Sequence, residues 1–176
     1  MTYSFKNVRV LVVECTPSMY QLVKSVLSML TVPERNIYDA YKPEEAFDKF
    51  KSIKHDIIIT DWLRDPDQGI HLTKMIRQRE DSPNQYVPII MTAGTGHYNS
   101  VIKARDAGVS DYIVKPFSAQ TMADRLVRVI EDDRQFVLSE NFVGPDRRHG
   151  LAKNYDGPER RSLHKESDLP PAMAAK

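Results

Sequence analysis

The sequence predicts an α/β fold, a doubly wound parallel sheet with helices on both faces, and three observations predict it. Five short runs rich in β-branched and apolar residues each precede a segment with apolar residues at helical spacing. That βα repeat is the pattern that builds parallel sheets with right-handed crossovers. One run, Ile57-Ile58-Ile59, is apolar at consecutive positions between Asp56 and Thr60, as a strand buried on both faces requires. Several of the runs also end on residues fit for chemistry, and the carboxyl ends of strands are where open α/β sheets bind ligands.

The elements follow in order. Val8–Val13 reads as the first strand and ends at Glu14-Cys15. Thr16-Pro17 then starts a helix, with Thr16 as its cap and Pro17 at the first helical position. Met19, Leu22, Val23, Val26, Leu27 and Leu30 form its apolar stripe. Asn36 to Ala40 is a weak second strand, and Pro43-Glu44-Glu45 opens the second helix with acid at the positive end of its dipole. The third strand, Asp56–Thr60, leads into a polar loop and a third helix carrying Ile70, Leu72, Thr73, Met75 and Ile76. Val87–Met91 is the fourth strand, and a helix from about Tyr98 to Ala107 stops at Gly108. Asp111–Val114 is the fifth strand, and Ser118 caps a last helix with Met122, Leu126, Val129 and Ile130 inward.

The texture changes near Glu140. Residues 1–138 read as the folded domain and residues 139–176 as a flexible tail, with too few apolar residues to offset chain entropy. The tail carries a repeat: Asn141-Phe142-Val143-Gly144-Pro145-Asp146-Arg147-Arg148, then Asn154-Tyr155-Asp156-Gly157-Pro158-Glu159-Arg160-Arg161. Both copies read Asn-aromatic-x-Gly-Pro-acid-Arg-Arg. Gly-Pro fixes a turn, the aromatic is a compact anchor and paired arginines suit carboxylate or phosphate. Phe142, Arg147, Arg148, Tyr155, Arg160 and Arg161 are therefore candidate docking residues; the bland alternative is a solvated, duplicated linker.

Composition removes several functions. A net charge of +1 makes no general case for nucleic acid or membrane binding, and Asp146, Asp156 and Glu159 dilute the tail's arginines, which argues against nucleic acid there too. No apolar run is long enough to span a bilayer, and the first residues lack the apolar stretch of a signal peptide. A single cysteine, Cys15, fits a reducing cytoplasm. The five histidines show no metal-ligand spacing.

What remains is a constellation at the strand ends. Glu14, Asp61, Thr92 and Lys115 follow the first, third, fourth and fifth strands and converge on one edge in a parallel sheet. Two carboxylates, a hydroxyl and an ammonium suit a phosphoryl group with a divalent cation. An aspartate can attack phosphorus to give an acyl phosphate, and transfer of this kind depends on positioning and charge neutralisation.

These pieces, taken in order, resemble the response-regulator receiver domain, the CheY-like module of bacterial two-component signalling. The resemblance rests on Leu11-Val12-Val13-Glu14, Asp56 to Trp62, Pro88 to Ala93, and Asp111-Tyr112-Ile113-Val114-Lys115-Pro116-Phe117, with Gly69 at the family's distance from the acceptor. It spans about residues 8–137. It implies the strand order 2-1-3-4-5, with Asp61 as phosphoacceptor, Lys115 beside the phosphoryl oxygens, Thr92 as switch hydroxyl and Tyr112 as switch aromatic. It further implies a cis Lys115-Pro116 bond, and Mg²⁺ held by Glu14, Asp61 and the backbone carbonyl of Leu63. The implied partners are a histidine kinase or phosphotransfer protein and a downstream protein. A homodimer through the fourth helix, fifth strand and fifth helix is left open.

Two departures stand out. The family ends its first strand with two acids, whereas this chain has Glu14-Cys15. Mg²⁺ is hard and prefers oxygen, so Cys15 weakens the expected metal site. After Asp61, Arg64 and Asp65 stand where the family often has Met-Pro.

The resulting expectation is a cytoplasmic two-component regulator, not an enzyme, at most catalysing its own phosphotransfer and dephosphorylation. The tail is too short for a helix-turn-helix unit, so output passes through protein contacts rather than DNA. The competing reading is a pseudo-receiver, an interaction module whose phosphorylation is impaired by Cys15. A flavodoxin-like enzyme is weakest, because no glycine-rich loop follows the first strand.

Overall fold

The protein is described from a computed structural model, which places residues 5–62, 67–132, 134–139 and 142–146, and the backbone of residues 162–163. The chain runs β1 (Val10–Val13), α1 (Pro17–Met29), β2 (Ile37–Ala40), α2 (Pro43–Ser52), β3 (Ile57–Asp61), α3 (Gln68–Gln78), β4 (Ile89–Ala93), α4 (Tyr98–Ala107), β5 (Asp111–Val114) and α5 (Ala119–Ile130). A hairpin follows: β6 (Phe136–Ser139), β7 (Phe142–Pro145), and a short β8 (Ser162–Leu163).

β1 to β5 form one parallel sheet in the order β2-β1-β3-β4-β5, as the resemblance implies. Alternation along each strand splits the core in two. Val10, Val12, Ile57 and Ile59 face α1 and α5, against Val23, Val26, Leu27, Met122, Leu126 and Val129. Leu11, Val13 and Ile58 face α2 and α3, against Phe47, Phe50, Leu72 and Ile76. The triple isoleucine is thus buried on both faces, each side chain contributing about 1.5–3 kcal/mol on removal from water. α4 packs more lightly, through Ala104 and Ala107 on Ile70 and Met91.

Element ends show local causes. β1 begins at Val10 rather than Val8, because Arg9 is engaged by Asp56: its N–H donates to Asp56 Oδ2 at 2.8 Å. β4 is displaced two residues from the expected span, since Pro88 has no N–H for the ladder and offers only its carbonyl, to Ile58 N. Thr16 sits at the N-cap of α1 but its side chain makes no cap bond; its N–H instead donates to Glu14 Oε1 at 2.9 Å. Ser118 does cap α5, accepting from Thr121 N at 3.0 Å. α4 ends on Gly108 at φ 97°, a left-handed C-cap that glycine adopts without a Cβ clash.

Residues 142–145, which the sequence assigns to the tail, form a strand antiparallel to β6. Phe136, Val137, Phe142 and Val143 are all buried. The hairpin rests on the carboxyl ends of α3 and α4, remote from the carboxyl edge of the sheet: Tyr86 stacks edge-on with Phe136, and Arg134 Nη2 donates to Ser110 O. Phe142 therefore packs within its own chain rather than standing on a free tail, because the consecutive apolar pairs Phe136-Val137 and Phe142-Val143 bury one another in the hairpin. Arg147, Arg148, Tyr155, Arg160 and Arg161 lie outside the described residues.

Candidate functional site

The parallel sheet brings the strand ends together. Asp61, the last residue of β3, pairs in register with Thr92 of β4, and Thr92 pairs with Ile113 of β5. Backbone bonds fix the residues just past the ladder: Glu14 N donates to Ala40 O, Trp62 N to Thr92 O, and Lys115 N to Ala93 O. Each bond extends the sheet by one residue, so Glu14, Asp61 and Lys115 leave the sheet edge already oriented. The Lys115-Pro116 bond is cis.

Lys115 joins the two acids. Its Nζ donates to Glu14 Oε2 at 2.7 Å and to Asp61 Oδ1 at 2.9 Å. Glu14 is 3% exposed, whereas Asp61 and Lys115 retain 16% and 17% side-chain exposure, so the acceptor is reachable while its neighbour is not. Burial works to lower the Lys115 pKa; hydrogen bonds and charges from Asp61 and Glu14 outweigh it, and the net direction is upward. The ammonium is thus held charged. Thr92 is 2% exposed.

The other Glu14 oxygen, Oε1, accepts the Thr16 N–H. Both oxygens of this carboxylate are engaged within the protein, while Asp61 Oδ2 has no hydrogen-bond partner among the described residues. Cys15 is exposed and adds no oxygen. Leu63, Arg64 and Asp65 lie outside the described residues. Among the described residues no group of three His, Cys, Asp or Glu side chains is arranged to hold a metal. The donor set fits a Mg²⁺ ion held by two carboxylates with water completing its shell, provided Glu14 shares an oxygen with Lys115.

Gly69 makes the site compact. A Cβ there would lie 2.3 Å from Asp61 O and 3.2 Å from Trp62 Cα, so only glycine lets α3 start this close to the acceptor. Its N–H donates to Trp62 O at 3.1 Å.

Tyr112 spans from β5 to the loop after β4, its hydroxyl donating to Thr95 O at 2.6 Å. Burial, then the Asp61 charge, raises its pKa. Trp62 meets the Tyr112 ring edge-on at 6.4 Å. Its Nε1 donates to Asp67 Oδ1 at 3.1 Å, and Asp67 in turn pairs with Lys103 of α4. Neither the αL conformation of Asp67 nor its reach to Trp62 and to Lys103 of α4 has a local sequence signal.

The comparisons bear on the family and the fold. Residues 10–127 match the family model described as response regulator receiver domain. The chain is 33% identical over 126 residues to chemotaxis protein CheY-3 of Vibrio cholerae, covering 72% of this chain and 94% of that one. It is 34% identical over 123 residues to chemotaxis protein CheY1 of Helicobacter pylori, covering 69% and 96%. Among solved structures it resembles response regulator protein TrrA of Thermotoga maritima in complex with Mg²⁺-BeF, at 26% identity and a TM-score of 0.58, covering 69% and 98%.

Proposed function

The chain belongs to the response regulator receiver domain family, and from that membership we propose that it accepts a phosphoryl group on Asp61 and signals by changing protein–protein contacts. A histidine kinase or phosphotransfer protein is the donor. An Asp61 oxygen attacks the phosphorus, the bond from phosphorus to the donor imidazole breaks, and the imidazole departs with the electron pair. The observation that carries the reading is the Lys115 bridge: an ammonium 2.9 Å from Asp61 is placed to neutralise charge that the phosphoryl oxygens bring.

Mg²⁺, when bound by Asp61, Glu14 and the Leu63 carbonyl, supplies further neutralisation of the same oxygens. Thr92, next to Asp61 across the ladder, donates its hydroxyl to the phosphoryl group once it is present. Tyr112 reports that change to the loop after β4 through Thr95. The result is a population shift between two receiver states rather than a new fold. The chain acts as a regulator rather than as an enzyme on other substrates.

Output through the α4–β5–α5 face is supported by exposed apolar side chains on these elements: Tyr98 at 78%, Val114 at 43% and Ile130, which the helical spacing placed inward, at 41%. That face would serve a downstream protein or a second copy. No described helix is long and apolar enough to cross a membrane, and a reduced Cys15 fits the cytoplasm.

One observation favours a second reading. Cys15 faces solvent at an expected metal-ligand position, and both Glu14 oxygens are already engaged. An interaction module with impaired Mg²⁺-dependent phosphorylation follows from that. Intact-mass analysis after incubation with a small phosphodonor separates the readings. The receiver gains one phosphoryl group with Mg²⁺, and Asp61→Asn gains none; no mass gain at high Mg²⁺ supports the module.

A further inference from the structure

One side chain of α4 reaches back to the residue that follows the acceptor. α4 is lightly packed: its buried contacts are two alanines, Ala104 and Ala107, in a cluster with Ile70, Met91 and Val109. Trp62 and Tyr112 pack against that same cluster. Beside Ala104, Lys103 pairs with Asp67 Oδ2, while Asp67 Oδ1 accepts the Trp62 Nε1–H at 3.1 Å. Asp67 stands before α3 at φ 63° and its side chain makes no cap bond. Its two oxygens instead join the end of β3 to α4.

All three polar atoms of Trp62 are engaged. Its N–H donates to Thr92 O at 2.8 Å, its carbonyl accepts the Gly69 N–H at 3.1 Å, and its indole rests on Asp67. The ring held in this way meets Tyr112 edge-on at 6.4 Å, and the Tyr112 hydroxyl holds Thr95 O. The orientation of Tyr112 is thus bounded on one side by a ring whose own place depends on Asp67. Lys103 and Asp67 keep 54% and 30% side-chain exposure, so the pair can part into water at small cost.

We propose that Lys103 is a positioning residue that acts as a brake on the switch: through Asp67 it holds the Trp62 ring against Tyr112, and with it the resting arrangement of Tyr112 and α4. The inference rests on the reading of Asp61 as phosphoacceptor and Tyr112 as switch aromatic. When Tyr112 turns, Trp62 loses its edge-on neighbour, α4 moves under Lys103, and the pair is released. A contact made in only one of two states biases their equilibrium by its own free energy. A half-exposed ion pair is strong enough to shift that equilibrium by about two- to fivefold. Removing it favours whatever binds the switched state, and salt, which screens exposed charges, does the same.

Beryllofluoride binding to the full chain in saturating Mg²⁺, followed by fluorine NMR, tests the brake. Lys103→Met should tighten binding by about threefold, and Lys103→Arg should keep the wild-type affinity. Asp67→Asn retains an oxygen for the Trp62 indole and tolerates the left-handed backbone, but loses the charge. It should tighten binding by the same factor, and the double variant should go no further. In about 1 M KCl the wild type should approach Lys103→Met. Without Mg²⁺ or beryllofluoride, acrylamide should quench Trp62 more readily in Lys103→Met than in the wild type. A wild type that binds no beryllofluoride overturns the phosphoacceptor reading and the brake with it. If the wild type binds, the brake alone is overturned by equal or weaker binding in Lys103→Met, by additive effects of the two substitutions, or by unchanged quenching of Trp62.

Discussion

Lys115 Nζ sits between Glu14 and Asp61, 2.7 Å from one carboxylate and 2.9 Å from the other. Two acids from β1 and β3 would repel at this edge; the lysine after β5 holds them together. The same contact that stabilises the empty site is the one a phosphoryl group would compete for.

Lys115→Met should therefore cost stability as well as function. It leaves Glu14, 3% exposed, as a buried carboxylate without its cation. Breaking a buried pair costs about 3–5 kcal/mol, and the partial exposure of Lys115 argues for the lower end. Urea denaturation of the variant should show the loss, and Glu14→Gln combined with Lys115→Met should recover part of it.

Cys15→Asp should tighten Mg²⁺ binding. An added oxygen ligand in place of an exposed thiol should improve affinity by about tenfold, or about 1.4 kcal/mol. Titration followed by Trp62 fluorescence measures it; unchanged affinity would contradict a role for Cys15 in limiting the metal site.

Gly69→Ala should damage the site from behind. Its Cβ would fall 2.3 Å from Asp61 O, and overpacking of this kind costs about 1–3 kcal/mol. The displaced strand end should also slow phosphorylation, which separates this variant from an equally destabilising change in the α1 core such as Val26→Ala.

His55 should set part of the acid sensitivity. It is 2% exposed, with Tyr38 edge-on at 4.9 Å, and burial lowers its pKa to about 4. The folded state thus takes up its proton less readily than the unfolded chain, near 6.5. Its stabilising effect is complete above about pH 6.5 and fades as pH falls toward 4, up to about 3 kcal/mol in total. Between pH 7 and pH 4.5 the wild-type urea midpoint should fall further than that of His55→Phe.

Much of this was legible in the sequence, for identifiable reasons. The βα repeat announced the sheet, and Asp61, Thr92 and Lys115 fell at strand ends where register alone brings them together. Residues that act across distant segments were not legible. Nothing local shows that Glu14 spends both oxygens inside the protein, or that Asp67 ties Trp62 to Lys103. The hairpin was hidden because Gly144 and Pro145 read as turn residues, whereas Gly144 is required by the approach of Gly108 from another helix. Arg77 carries no signal of its burial in its own segment, since Phe136 of that same hairpin lies against its guanidinium.

The central claim is that Asp61 is a working phosphoacceptor despite Cys15. Trp62, the single tryptophan, adjoins Asp61 and contacts Tyr112, so its fluorescence should report an occupied site. The decisive measurement is a beryllofluoride titration in saturating Mg²⁺, on the wild-type chain and on Asp61→Asn. The account predicts a saturable fluorescence change in the wild type that is absent in Asp61→Asn. No change in the wild type, or an equal change in both, would contradict it.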